Sequence, residues 1–457
     1  MKTLLNAVRA RCGEFWWWSL VMFLSLRFGD LINAYVALWL VPRWIDKGEL
    51  GAVLPLISFA TLVGVPVGVF AFAFMKQVNV LATHGEYGKL KTLLAGVFVA
   101  TGLFAMVATV CVRLAMPLLL ERIRVEKGSL GLLVIASGLI GAVSPVFTNV
   151  LQALKRFKAL GIINIFTAPM RLVVMLVAMP YRALSGYFAG QTASPMMQIG
   201  AVLFSLRREL GRGVKAEPFW TRQNTRAFLR YAFFASLFLV FPALATFVET
   251  LVVRQRLPET DSAAYYMMTR FAEIGSYLGL SLNVIVFPFL SEARTRGRDA
   301  RTLLGKSMLA TTAFGCVCAL AFWAAGGWIF PLLPGGAEYV PYTSKLAILT
   351  VVSALGATAT CFATGEIAAE RTGFLKWWAP LHLAWALVLL AITGYGYFEP
   401  ILPASANAAL RAFDPNRLEV YIALFAAVNA LKALCAFISL KRNAENGHAQ
   451  ENIRLAD

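Results

Sequence analysis

WWWSLVMFLSLRFGDLINAYVALWLVP fills residues 16–42. As a helix, 27 residues would run about 40 Å, more than the roughly 30 Å hydrocarbon core of a bilayer. Only Arg27 and Asp30 are charged within it. The stretch reads as a membrane-crossing helix with an ion pair near its middle. It follows Lys2, Arg9 and Arg11, so a signal peptide is the competing reading. It is too long for one, lacks a small-residue cleavage site, and is the first of a series, so a retained first helix is expected.

Eleven further apolar runs follow. The expected spans are roughly 16–42, 49–75, 90–117, 129–154, 159–180, 184–206, 225–252, 262–290, 305–332, 341–367, 374–396 and 418–440. The composition agrees. Of 457 residues, 59% are hydrophobic and 14% charged, against roughly 25% charged in soluble domains. A soluble enzyme and a disordered chain are both excluded. Six cysteines are too few for a disulfide scaffold. The fold class expected is an all-α polytopic membrane protein with twelve helices.

The formal net charge is +18. The basic residues sit mainly in short loops, which points to membrane topology and away from nucleic acid. Loops on one side hold twelve Lys and Arg; the termini and the other loops hold 26, including KRFK (155–158), RRELGRGVK (207–215) and RTRGRDAR (294–301). Both termini are therefore expected in the cytoplasm. Trp16, Trp17, Trp18, Trp44, Trp377 and Trp378 fall at span edges, where an amphipathic indole is favoured.

The organisation expected is a six-helix lobe over 1–206, a cytoplasmic linker over 207–224, a second six-helix lobe over 225–440 and a cytoplasmic tail over 441–457. EPFWTRQNTRAFLR (217–230) reads as an amphipathic lead-in lying along the inner interface. QALKRFKALGIINI (152–165) and IAAERTGFLKWWAP (367–380) share one design, a basic turn between apolar runs, at equivalent places in the two lobes. Six spans repeated in the same orientation are typical of transporters whose site lies between two lobes.

Charges near the bilayer centre cost roughly 2.5–3.5 kcal/mol on insertion scales, so they face the protein interior or a wet cavity. Arg27 with Asp30 and Arg270 with Glu273 are each three residues apart and share a helix face. Either pair reads as a packing salt bridge or as part of an anion site. Arg171 has no acid beside it in sequence, which tips the reading toward an anion cradle, because a guanidinium binds phosphate bidentately. Glu249 reads as an ion-coupling carboxylate or a residue reaching the outer interface, and Glu366 as an interface residue. Lys432 is expected to snorkel, and His382 to be a packed core histidine. GVPVG (64–68) and Pro145, Pro169, Pro288 and Pro380 permit kinks. Three scattered histidines give no metal site, and no phosphate loop, nucleophile elbow or other catalytic constellation is visible.

VFTNVLQALKRFKALGIINI (146–165), AYYMMTRFAEIGSYLGLSLNVIVFPFLSEA (264–293) and the Arg27–Asp30 pair carry a resemblance. The chain resembles the polysaccharide-transporter and lipid II flippase branches of the multidrug/oligosaccharidyl-lipid/polysaccharide exporter superfamily. The resemblance implies alternating-access transfer of an undecaprenyl-pyrophosphate-linked saccharide across a bacterial inner membrane, with no enzymatic step and no cofactor. It implies pyrophosphate contacts from Arg27 and Arg270; Arg171 joins them on the residue argument alone. Lipid II flippases carry an acid before the span-8 arginine, where this chain has Thr269, and a denser charge cluster in span 1. The departure favours an O-antigen or exopolysaccharide repeat unit, with a polysaccharide polymerase or assembly protein as partner beside membrane lipid. Some relatives couple to sodium or protons. The competing readings are a lipid II flippase and a multidrug cation antiporter of the same superfamily.

Overall fold

The apolar runs fold into twelve long helices in a computed structural model that describes residues 2–125, 130–207, 215–295, 301–369, 371–393 and 416–456. These are α1 (Lys2–Tyr35), α2 (Val53–His84), α3 (Tyr87–Arg122), α4 (Leu130–Ala153), α5 (Phe157–Ala178), α6 (Ala183–Ser205), α7 (Arg222–Arg256), α8, α9 (Arg301–Ile329), α10 (Thr343–Ala368), α11 (Leu375–Thr393) and α12 (Leu418–Ala456). α8 is built in three pieces, Glu259–Ala272, a 3-10 turn at Glu273–Ser276, and Tyr277–Thr295. No strand occurs among the described residues. The all-α class expected from the sequence holds. By length and composition, ten described helices can cross a membrane. α6 is not one of the ten, because Gln191, Thr192, Ser194 and Gln198 dilute its apolar run.

The packing repeats after six helices. α1 meets α5, α2 meets α3 and α4, α3 meets α4, α4 meets α6, and α5 meets α6. The same six pairs recur as α7 with α11, α8 with α9 and α10, α9 with α10, α10 with α12, and α11 with α12. α2 against α7 and α1 against α8 then join the halves. Small residues allow the tightest of these contacts. A side chain at Gly138 would bring its Cβ within 2.2 Å of the Ala60 carbonyl oxygen, so α4 lies directly on the α2 backbone. In the second half, a Cβ at Gly275 would stand 2.7 Å from Thr350 Cγ2. The spacing Gly64/Gly68 in α2 returns as Gly275/Gly279 in α8.

Two apolar cores result, each drawn from both halves. One lies at the end carrying the chain's start and finish and includes Phe74, Phe157, Phe228, Phe287 and Phe362. The other lies at the opposite end and includes Leu40, Leu130, Tyr266, Leu346 and Leu389. Residues of both cores border one cavity.

Several local expectations are corrected. α2 continues nine residues past the expected end at 75, to His84, and stops at Gly85, whose φ of +73° suits a helix terminus. The expected lead-in joins α7 directly: residues 222–230 are its first turns, three residues earlier than the expected start at 225, capped by Thr221 Oγ1, which accepts from the Asn224 N–H at 3.3 Å. Lys432 does not snorkel: it is buried, with Nζ 3.3 Å from His382 Nε2. His382 is a packed histidine as expected, its Nδ1 2.8 Å from the Trp378 carbonyl oxygen. Glu366 is buried rather than interfacial, 3.6 Å from Arg371. Residues 208–214 of the expected linker and residues 394–415, the last three of expected span 11 and most of the connection to span 12, lie outside the described residues.

Candidate functional site

A cavity of about 1080 Å³ lies between the two cores. It is lined from both halves: Gly64 of α2, Ser144 of α4, Asn164 and Arg171 of α5, Gln191 and Gln198 of α6, Glu249 of α7, Arg270 and Glu273 of α8, and Ser353 of α10. A recess of about 380 Å³ adjoins it, and Arg171, Gln191, Arg270 and Glu273 line both spaces. The recess also takes in Asp30, Asn33, Tyr187 and Tyr277.

The two charge pairs read from sequence both form. Arg27 Nη2 lies 2.7 Å from Asp30 Oδ2. Arg270 Nη1 lies 3.0 Å from Glu273 Oε1. Helical spacing brings the members of each pair together. At Glu273 the helix also tightens into the 3-10 turn, which leads directly into Gly275 at the α10 contact. Arg27 does not line the cavity or its recess. Its guanidinium stands 4.1 Å over the Tyr277 ring and donates to Ser281 Oγ at 3.1 Å. It therefore ties α1 to α8 behind the recess.

Arg171 is held differently. Nη1 donates to Gln191 Oε1 at 3.0 Å and Nη2 donates to Asn33 Oδ1. Both acceptors are neutral. No carboxylate of the described residues is within ion-pair distance of it. The cluster thus sets three arginines against two carboxylates, a surplus of one positive charge. Four guanidinium nitrogens here are buried and unpartnered within the protein: Arg27 Nε and Nη1, Arg171 Nε and Arg270 Nε. Leaving a buried donor unsatisfied costs about 1–3 kcal/mol; of these four, Arg171 Nε and Arg270 Nε belong to side chains that line the cavity and the recess. Of the three arginines expected on the cavity wall, Arg171 and Arg270 line both spaces, while Arg27 is turned away from them against Tyr277 and Ser281.

Glu249 stands apart from this cluster. It is buried, not at an interface, and accepts hydrogen bonds from Tyr265 Oη and from Trp385 Nε1 at 3.2 Å. It still lines the main cavity. No group of three or more His, Cys, Asp or Glu among the described residues is arranged to hold a metal ion.

Sequence reading missed Asn33, Tyr187, Tyr265 and Tyr277. Asn33 continues the i, i+3 series of Arg27 and Asp30, so the signal for it was present. Tyr277 lies four residues after Glu273, but only the 3-10 turn and the approach of α1 place its ring under Arg27.

No protein-family profile matches the sequence, and no curated protein matches it. Solved structures do. A structure described as a MATE protein in the straight conformation superposes with a TM-score of 0.69 at 12% identity, covering 96% of this chain and 98% of the other. A MATE transporter of Vibrio cholerae gives 0.66 at 14% identity, covering 97% and 98%. A MOP-superfamily transporter of Pyrococcus furiosus gives 0.64 at 12% identity, covering 95% and 97%; its description reports a binding pocket of reversed polarity and suggests a different function. The chain therefore has the fold of the MATE transporters of the MOP superfamily over nearly its whole length. None of these three is described as a polysaccharide transporter or lipid II flippase, the branches the sequence resembles.

Proposed function

We propose that the chain is an alternating-access transporter of the inner membrane, with both termini in the cytoplasm, and that its cargo is an amphiphile bearing a negative group. The observation that carries this is Arg171: a cationic side chain on the cavity wall, held only by neutral Asn33 and Gln191, in a cluster with unpartnered guanidinium donors. An anion with several acceptor oxygens in the cavity satisfies the free donors of Arg171 and Arg270 and the surplus charge together. The two halves rock about the α2–α7 and α1–α8 contacts, and the cavity is exposed to one side and then the other. Within this class, the sequence resemblance favours a polyprenyl-pyrophosphate-linked saccharide, its lipid tail remaining in the bilayer.

Multidrug export is the second reading, and the comparisons back it more than saccharide flipping. A structure similar to this chain is described as a multidrug resistance MATE transporter, with a TM-score of 0.68 at 13% identity. The chain's own support for it is the trio of carboxylates, Asp30, Glu249 and Glu273, along the same two spaces. Under either reading Glu249 is the coupling carboxylate, exchanging a proton or sodium ion as the halves move.

The test is uptake by reconstituted vesicles of two probes, a pyrophosphate-bearing polyprenyl saccharide and a cationic dye. Transport of the first and not the second supports the anionic cargo. The reverse assigns drug export. Loss of transport in Arg171→Gln with normal folding ties the activity to the site.

A further inference from the structure

A second basic feature lies outside the cavity. Arg222, Arg226 and Arg230 recur every four residues at the start of α7, all exposed, and form one wall of a groove. Four-residue spacing puts them on one face, and at 1.5 Å per residue the three guanidinium groups cover about 12 Å. No ion pair to any of them is present among the described residues. The same face continues into Leu229 and Phe233, which are 54% and 60% exposed. Outward-facing apolar side chains thus lie beside the last arginine, Leu229 just before Arg230 and Phe233 just beyond it.

The segment before it is fastened. Phe219 is buried. Trp220 Nε1 donates to the Thr92 carbonyl at 3.2 Å, and the Glu217 N–H donates to the Gly88 carbonyl at 3.2 Å. The Trp220 ring meets Phe228 edge-on at 5.4 Å. α7 therefore enters the apolar layer at a fixed place against α3, with a partly exposed indole beside the arginines.

We infer that this stripe is a docking surface for anionic phospholipid of the leaflet at the terminal end. The lipid phosphates lie against Arg222, Arg226 and Arg230, and the acyl chains lie along Leu229 and Phe233. The apolar continuation selects a lipid over a soluble phosphate, which would gain nothing from those two side chains. Positive side chains at an anionic leaflet attract lipid additively. The inference does not depend on the cargo proposed above, since it concerns the outer face of α7.

The test uses the full chain in nanodiscs of mixed phosphatidylethanolamine and phosphatidylglycerol, with retained lipid counted by native mass spectrometry. The expected result is enrichment of phosphatidylglycerol over its bulk share. Arg222→Gln/Arg226→Gln/Arg230→Gln lowers that enrichment at least about fivefold. Lys441→Gln/Arg442→Gln, two exposed basic residues at the end of the α12 span, leaves it unchanged. Equal enrichment in the triple variant overturns the inference. So does an equal loss in the control, which would assign the effect to net charge. If the triple variant fails to fold, Arg226→Gln alone and a salt titration of the wild type decide. Retention that salt and that single change leave unaltered overturns the inference equally.

Discussion

The Arg27 guanidinium lies 4.1 Å over the ring of Tyr277, so a charge on the first helix of one half rests on an aromatic face of the other. Desolvated cation–π contacts contribute about 2 kcal/mol. Tyr277→Ala is expected to weaken cargo binding about tenfold and Tyr277→Phe to leave it near wild type, as measured by equilibrium binding to purified protein. Equal losses in both would assign the role to the hydroxyl.

Arg171 donates to Asn33 and Gln191 but to no carboxylate. Arg171→Gln should lower affinity for an anionic cargo by roughly 1.5–3 kcal/mol, the range for hydrogen bonds to charged groups. Thermal stability should change little, because no buried counter-charge is stranded. Arg171→Lys should recover part of the binding, since charge is kept while the planar fork is lost. Isothermal titration of the three proteins checks the order.

Much of this cluster was legible in advance, because an ionisable residue inside an apolar run is conspicuous and helical spacing pairs Arg27 with Asp30 and Arg270 with Glu273. Twelve apolar runs likewise gave the helices. The rest depended on contacts between helices. Nothing local to Arg27 says that it sits behind the recess and not on its wall. For Glu249 the sequence leaves a coupling carboxylate and an interface residue both open, and it reads Lys432 as snorkelling, because distance from a span end is all that one helix supplies. Their burial comes from Tyr265, Trp385 and His382 on neighbouring segments. The break in α8 was also hidden, since EIGS (273–276) has no proline to mark it.

At the terminal end, Lys155 of the α4–α5 turn pairs with Glu292 of α8, and its ammonium lies 4.6 Å from the Phe289 ring. Lys155 has a φ of +53°, so the turn itself aims this side chain. The pair bridges the halves and should open when that end opens. Lys155→Glu should slow exchange between the two access states several-fold or bias it toward opening there. Lys155→Glu with Glu292→Lys should restore the wild-type balance. Distance distributions from paired spin labels at that end would report it.

Gly138 allows α4 to lie on the backbone of α2 at Ala60. Gly138→Ala forces the two helices apart and should cost about 1–3 kcal/mol of stability, read as a lowered Tm in detergent. Gly102, with no atom near its Cβ position, should tolerate alanine.

Glu249 holds two neutral hydrogen-bond donors within the cavity wall. Glu249→Gln keeps one oxygen to accept from Trp385, and its amide can donate to the Tyr265 hydroxyl, which turns to accept, so folding and cargo binding should survive. Transport driven by an imposed proton or sodium gradient should be lost. Undiminished gradient-driven uptake would remove Glu249 from coupling.

The central claim is that this cavity carries a negative amphiphile past the bilayer midplane. Its most direct test is leaflet-resolved transfer of a labelled polyprenyl-pyrophosphate saccharide in vesicles containing the purified chain. The account predicts transfer by the wild type, loss of most of it in Arg171→Gln, and no movement of a cationic dye. Movement of the dye without the pyrophosphate lipid would contradict it.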